Sequence, residues 1–93
     1  MNWDDVRVFL AVARAGQILS AARRLELNHA TVGRRLTSLE AAIGAKLLHR
    51  RPNGCELTER GRTFLSKAER MEAAMIDARA EIEGADGALS GTV

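Results

Sequence analysis

The stretch LNHATVGRRLTSLEAAIG, from Leu27 to Gly44, reads as one helix with two different faces. Asn28 is a good N-cap, and Gly44 is a typical helix stop. The apolar residues recur at helical spacing and predict one buried stripe, made of Val32, Leu36, Leu39 and Ile43. At about 100° per residue, the opposite face carries small residues and arginine, namely Ala30, Arg34, Thr37 and Ala41.

Two further helices are predicted before this stretch. Asn2 caps the first helix, and Gly16 supplies its left-handed stop. The second helix runs from about Ile18 to Leu25, and its break with the following helix resembles the turn of a helix-turn-helix, predicted over about residues 18–37. Such a turn needs a small residue, a turn residue and an apolar residue at set spacing, and the chain places Ala22, Glu26 and Val32 there. Since Glu26 is not glycine, a left-handed backbone there would cost about 1 kcal/mol.

The second half of the chain predicts a hairpin and a long helix. Pro52-Asn53-Gly54 is a strong turn signal between two short extended pieces, 47–50 and 55–57. Thr58 caps a helix that continues to about Glu83. Its apolar residues alternate in steps of four and three, the spacing of a coiled-coil seam that pairs two copies of the chain: Phe64, Ala68, Met71, Met75, Ala78 and Ile82. The alternative is a helix that packs within its own domain.

Composition and charge favour an anionic partner for the first half of the chain. The 93 residues carry a net charge of +2, but residues 1–56 hold nine basic and five acidic residues. This asymmetry is typical of a surface that meets nucleic acid. No segment reads as a membrane span or a signal peptide, and Cys55 is the sole cysteine, so we expect a cytoplasmic protein with no membrane partner.

A helix-turn-helix places its second helix in the major groove of DNA, with the N-terminal residues leading. Small side chains at Ala30, Thr31 and Gly33 would let this helix approach the base edges. Arg34 could then donate two hydrogen bonds to a guanine or contact a phosphate. Arg23 and Arg24 are either solvated or phosphate contacts.

The ordered motifs RVFLAVARAG, SAARRL, TVGRRLTSLEAAIGAKLLHR and LTERG resemble the N-terminal DNA-binding domain of LysR-type transcriptional regulators, over essentially the whole chain. The resemblance implies a mainly α fold, a winged helix-turn-helix over residues 1–58. It comprises a three-helix bundle and a small β-hairpin wing over about 47–57. A linker and dimerisation helix over 59–84 follows. Residues 85–93 would be the start of a connection to an effector-binding domain that this chain lacks.

The family also implies a function: sequence-specific binding of double-stranded operator or promoter DNA by a homodimer, which forms a tetramer in the full-length protein. A small-molecule effector would act only through the missing domain. The base contacts map to the start of the recognition helix, and the wing arginines, Arg50 with Arg51, would enter the minor groove. The full set of expected DNA contacts is Arg23, His29, Ala30, Thr31, Gly33, Arg34, Arg35, Thr37, Arg50 and Arg51.

This chain departs from the usual family pattern at several positions. His29-Ala30 stand where Gln-Pro is common, and Gly33 stands where serine is common. Two hydrogen-bonding groups are weakened as a result, so the operator preference of other members does not transfer. Gln17 also replaces a common serine or threonine cap.

Other chemistry finds little support in the sequence. His29, His49 and Cys55 match no zinc or iron spacing, so no metal or cofactor is expected. No nucleophile–base set, paired acids or phosphate-binding loop is visible, and we expect no enzyme. The alternative to DNA binding is a protein–protein interaction module that pairs through the heptad helix. DNA binding that neutralises several phosphates should weaken steeply with salt, whereas apolar helix pairing should not.

Overall fold

A computed structural model describes the backbone of residues 1–92 and the side chains of residues 1–84. Three helices come first, followed by a two-stranded antiparallel hairpin and one long helix. The elements are α1 (Trp3–Ala15), α2 (Ile18–Leu25), α3 (His29–Ile43), β1 (Leu48–Arg51), β2 (Gly54–Leu57) and α4 (Glu59–Thr92). The mainly α winged fold predicted from the sequence is confirmed.

The helix ends follow the local signals in the sequence. The side chains of Asn2 and Asn28 each accept a hydrogen bond from a backbone N–H two residues on, both at 2.8 Å. Gly16 and Gly44 take left-handed conformations, with φ of 76° and 81°. Each glycine N–H donates to a carbonyl four residues earlier, which satisfies the end of its helix.

The turn between α2 and α3 is built on a strained residue. Glu26 has φ 56° and ψ 41°, the left-handed conformation predicted for it. Its N–H and that of Leu27 donate to carbonyls of the last turn of α2, so the backbone of the turn is satisfied. Gln17, by contrast, makes no side-chain cap at the start of α2, in line with its departure from the usual cap residues. The turn therefore fixes the angle at which α3 leaves α2.

The core lies where α1, α2 and α3 meet, and the hairpin and α4 close it. Val32, Leu36 and Leu39 are 0–1% exposed, as predicted, while Ile43 is only partly buried at the edge of the core. Ile43 lies in the last turn of α3, where the packing ends, so the predicted stripe is only partly buried at this end. Neighbouring elements complete the core with these buried residues: Val6, Val8, Phe9, Leu10, Val12, Ala21, Ala22, Leu47, Leu48 and Ala68.

The hairpin strands differ by one residue from those predicted. Leu48 pairs with Leu57 and Arg51 with Gly54, leaving Pro52-Asn53 as the turn. Leu47 lies outside the ladder because its N–H donates to the carboxylate of Glu40, at 2.7 Å. Its carbonyl accepts from the N–H of Thr58 at 2.9 Å. The residue thus links α3 to α4.

The first turns of α4 pack closely on the domain. Thr58 caps the helix by accepting from the N–H of Gly61 at 2.9 Å, as predicted. A Cβ added at Gly61 would overlap the carbonyl oxygen of Leu47. The absence of a side chain there lets the helix lie against the hairpin.

Part of the predicted heptad seam is used inside the domain. The rings of Phe9 and Phe64 meet edge to face with centroids 5.3 Å apart. Ala68 is fully buried, and Met71 packs against the same core. Phe64, Ala68 and Met71, predicted as seam residues between two copies, therefore contact the core of their own chain, since α1 covers this part of α4.

The seam is exposed only further along α4. Met75 is 46% exposed and Ile82 is 66% exposed. The helix also continues to Thr92, beyond the predicted end near Glu83. Glycines cost a helix only about 1 kcal/mol each, so the glycine-rich sequence there does not end it. The role of residues 85–93 as a connection to another domain stays a prediction, and their side chains lie outside the described residues.

Candidate nucleic-acid interface

At the N-terminal end of α3, the outward face is exposed and carries small and polar side chains. His29 and Ala30 in the first turn are exposed, as are Arg34 and Thr37 further along. Gly33 and Thr31 are half-buried beside them. The side chains of Ala30 and Thr31 are small and Gly33 has none, so the N-terminal part of α3 can approach a surface closely.

Arg34 lies along this face. Its Nη2 donates to the hydroxyl oxygen of Thr31 at 3.1 Å, one turn earlier on the same helix. This bond uses one of the five guanidinium donors. The side chain is thus oriented on the helix surface rather than freely rotating.

Arg35 has a different environment from its neighbour. Its Nη1 donates to Oδ1 of Asp5 at 3.2 Å, and Asp5 is only 8% exposed. The pair ties α3 to the first turn of α1. The guanidinium of Arg35 therefore positions α3, and its assignment as a DNA contact stays a prediction.

The two wing arginines also differ. Arg51 pairs with Glu56 across the hairpin at 3.2 Å, and both side chains are more than half exposed. Arg50 instead turns back over α3, where its Nη2 lies 3.1 Å from the Thr37 hydroxyl oxygen and 3.5 Å from Oε1 of Glu40. One arginine therefore belongs to the hairpin surface and the other to the surface of α3.

Glu40 is a site residue that the sequence analysis missed. Its Oε2 accepts hydrogen bonds from the backbone N–H groups of Leu47 and Leu48, at 2.7 and 3.3 Å. One carboxylate therefore holds the start of the hairpin against the recognition helix. The sequence did carry a signal for this role. An acidic side chain near the C-terminus of a helix interacts unfavourably with the helix dipole, so its presence there predicts a specific partner.

A groove of about 590 Å³ separates α3 from the hairpin and the start of α2. Its lining includes Leu19, Ala30, Gly33 and Arg50. Leu19 is 55% exposed, an unusual exposure for a leucine, and it was not among the predicted site residues. Arg23 is exposed at the other end of α2. Some of the predicted recognition residues, His29, Ala30 and Gly33, thus border one concave surface with the hairpin.

The N–H of Cys55 holds the hairpin to the end of α1 by donating to the carbonyl of Gly16 at 2.8 Å. Burial raises the pKa of its thiol, which favours the unreactive protonated form. Across the described residues, no group of three His, Cys, Asp or Glu side chains is placed to hold a metal ion.

An ion pair also links α4 to α1 where α4 leaves the domain. Two nitrogens of Arg14 on α1 donate to the two carboxylate oxygens of Glu72, at 3.0 and 2.6 Å. This hydrogen bonding raises the pKa of Arg14 and lowers the pKa of Glu72. Beyond this clamp, the large apolar side chains that are exposed among residues 73–84 are Met75, Ile76 and Ile82. No helix within the described part of the chain has the length and apolar character to cross a membrane.

Three packed helices with a tight turn between α2 and α3, followed by a two-stranded hairpin, define a winged helix-turn-helix domain. The chain belongs to the lysR family of bacterial regulatory helix-turn-helix proteins, whose sequence model matches residues 3–62.

Among its relatives, the chain is 38% identical over 93 residues to the HTH-type transcriptional regulator ClcR of Pseudomonas putida, covering 96% of this chain and 32% of ClcR. It is 39% identical over 71 residues to the regulator TcbR of Pseudomonas sp. strain P51, covering 76% of this chain and 24% of TcbR. The chain therefore spans a third or less of these relatives.

A similar solved structure is a crystal structure of a CbnR_DBD–DNA complex. It superposes with a TM-score of 0.85 at 34% identity, covering 91% of this chain and 98% of that one. Full-length CbnR complexed with its target DNA matches with a TM-score of 0.76 at 36% identity, where the match covers 86% of this chain and 29% of CbnR.

Proposed function

We propose that this chain is the DNA-binding part of a bacterial transcription regulator and recognises a specific duplex sequence through α3. The observation that carries the proposal is the outward face of α3. Its first turns expose His29 and Ala30, Gly33 adds no bulk, and Arg34 lies ready to donate. Such a face suits close entry into the major groove and bidentate contact with a base edge. The similar CbnR domain has been crystallised with DNA, which supports DNA binding by this fold.

We propose two copies as the binding unit, paired through α4. The exposed residues Met75, Ala78 and Ile82 continue at heptad spacing on a helix that projects beyond the domain. Pairing would remove this apolar surface from water and set the distance between two recognition helices. A symmetric dimer of this kind favours a DNA site with two related halves.

The remaining features of the whole regulator are proposals from the family. A separate domain would sense a small-molecule effector and change transcription of target genes, and full-length chains would form tetramers. The full-length regulator would act in the bacterial cytoplasm, at the nucleoid. Regulation of transcription accounts for these features without an enzymatic activity.

The proposal is tested by the salt dependence of duplex binding. Fluorescence anisotropy with the 93-residue chain would compare a sequence selected from a random pool with a scrambled duplex, between about 50 and 200 mM salt. We expect the selected sequence to bind more tightly than the scrambled one. The affinity for both should fall steeply as the salt concentration rises, because the release of counterions from the DNA then favours binding less. A chain that self-associates but shows no salt-dependent DNA binding would instead be the interaction module.

A further inference from the structure

The guanidinium of Arg50, a residue of the hairpin, lies on the outward stripe of α3. This stripe is formed by Gly33, Thr37 and Glu40, one and two turns apart on the helix. The Nη2 of Arg50 is 3.1 Å from the hydroxyl oxygen of Thr37 and 3.5 Å from Oε1 of Glu40. Thr37 in turn donates its hydroxyl hydrogen to the carbonyl of Gly33 at 3.0 Å, which leaves its oxygen lone pairs to accept from Arg50.

The lack of a side chain at Gly33 makes room for this arrangement. A Cβ added there would lie 3.8 Å from Nη1 of Arg50, which is ordinary contact distance. A methyl group therefore fits, whereas a longer side chain would need the space that the guanidinium occupies. Gly33 is helical, so no turn requires glycine at this position. The glycine and the arginine are complementary parts of one surface.

We propose that Arg50 reads the major groove together with α3, as a specificity-determining residue that replaces the side chain missing at Gly33, and that its target is a guanine. This differs from the minor-groove role that the family resemblance implied for the wing arginine, and it rests on the proposed DNA binding. Arginine suits a guanine because its two parallel N–H groups match the O6 and N7 acceptors in the major groove.

Glu40 is the positioning residue in this arrangement. Its carboxylate holds the backbone of Leu47 and Leu48 through one oxygen and faces Arg50 with the other. The side chain of Glu40 is 18% exposed and that of Arg50 is 34% exposed, so the pair is only partly open to solvent. The bond to Glu40 thus limits where the guanidinium can go, and a fixed donor discriminates better than a mobile one.

The test uses base analogues that separate the two grooves. A duplex selected by the wild-type chain would carry, at one guanine at a time, either 7-deazaguanine, which lacks the major-groove N7, or inosine, which lacks the minor-groove amino group. We expect 7-deazaguanine at one position to weaken wild-type binding about 5-fold or more. For Arg50→Ala, the same analogue should cause no further loss. Arg51→Ala, which removes the neighbouring exposed arginine, should keep the full penalty.

Two substitutions at Gly33 provide a second readout. Gly33→Ala should keep the Arg50-dependent penalty because the methyl group fits, whereas Gly33→Gln should abolish it by displacing the guanidinium. If Arg50→Ala keeps every 7-deazaguanine penalty, or loses only an inosine penalty, the major-groove role of Arg50 is wrong while DNA binding stands. If the wild-type chain binds no duplex in a salt-dependent way, the proposed function fails and this inference fails with it.

Discussion

The carboxylate of Glu40 accepts the backbone N–H of Leu47 at 2.7 Å, which joins the recognition helix to the strand that follows it. The same oxygen also accepts from the next N–H along the chain, at 3.3 Å. A single side chain therefore satisfies two backbone donors at the entry to the hairpin. This contact holds the start of the hairpin to α3, whereas the two-stranded ladder only joins the two strands to each other.

Removing this carboxylate should destabilise the domain. Glu40→Ala leaves two partly buried N–H groups without their acceptor, at a cost of about 1–3 kcal/mol in the free energy of unfolding. Urea denaturation followed by circular dichroism measures the change. Glu56→Ala is the matched control, since it removes an acid whose ion pair with Arg51 is exposed, and it should change stability by less than about 1 kcal/mol. Equal effects of the two substitutions would contradict the anchoring role of Glu40.

Gly61 and Gly84, two of the glycines of α4, should respond to alanine in opposite directions. Gly61→Ala drives a Cβ into the carbonyl oxygen of Leu47, so it should destabilise the domain by about 1–3 kcal/mol despite the better helix propensity of alanine. Gly84→Ala meets nothing within 4 Å and should be neutral or stabilising by up to about 1 kcal/mol. Thermal unfolding of both variants checks the sign, and a stabilising Gly61→Ala would refute the close packing of α4 on the hairpin.

The ion pair between Arg14 and Glu72 should contribute stability in a defined pH range. The hydrogen bonds from Arg14 lower the pKa of Glu72 in the folded state. Its stabilisation is therefore present above the unfolded pKa of about 4.3 and is lost as pH falls through the lower folded value. Because both side chains are partly exposed, the contribution should be below about 1 kcal/mol.

Unfolding at pH 7 and at pH 3 tests this pair. Glu72→Gln should be less stable than the wild type at pH 7, and the difference should shrink at pH 3. Glu83→Gln, which affects an exposed pair with Arg79 within α4, serves as the control and should show little difference at either pH. A Glu72→Gln penalty that grows in acid would have the wrong sign for this account.

Self-association should depend on the distal part of α4. Met75 and Ile82 are exposed, so Met75→Lys or Ile82→Lys should shift the chain toward monomer. In dilute solution, either substitution should change the unfolding midpoint of the chain only slightly. Met71→Lys should instead also destabilise the domain, because Met71 packs against the core. Sedimentation equilibrium of the three variants measures the molecular mass and its dependence on protein concentration. A wild-type chain that remains monomeric at micromolar concentration would contradict pairing through α4.

Helix positions could be predicted because their signals are local. Asn28 and Gly44 carry the information for the ends of α3 within a few residues of the backbone they satisfy. The start of β1 was misplaced because Leu47 and Leu48 are both apolar and both buried, so no alternation marks which residue begins the ladder. The tertiary contact of Leu47 with Glu40, and not the local pattern, decides where β1 begins.

The candidate site was predictable in outline but not in its internal contacts. The spacing of residues on α3 correctly placed Arg34 on the outward face. It could not distinguish Arg34 from Arg35, because the partner of Arg35 is Asp5, thirty positions away. Similarly, the heptad pattern of α4 describes one apolar stripe, and only packing divides it into a part covered by Phe9 and a part that is exposed.

The most direct test of the central claim is the affinity of Arg34→Ala for a selected duplex and for a random one. Arg34 lies on the exposed face of α3 and bonds only to Thr31 among the described hydrogen bonds, so its removal should leave the fold intact. We predict a loss of about 1–3 kcal/mol on the selected duplex, from the lost contacts to a guanine. The loss on random DNA should be much smaller, since phosphate contacts supply most of that binding. If Arg34→Ala binds the selected duplex as tightly as the wild type, α3 does not read the major groove as proposed.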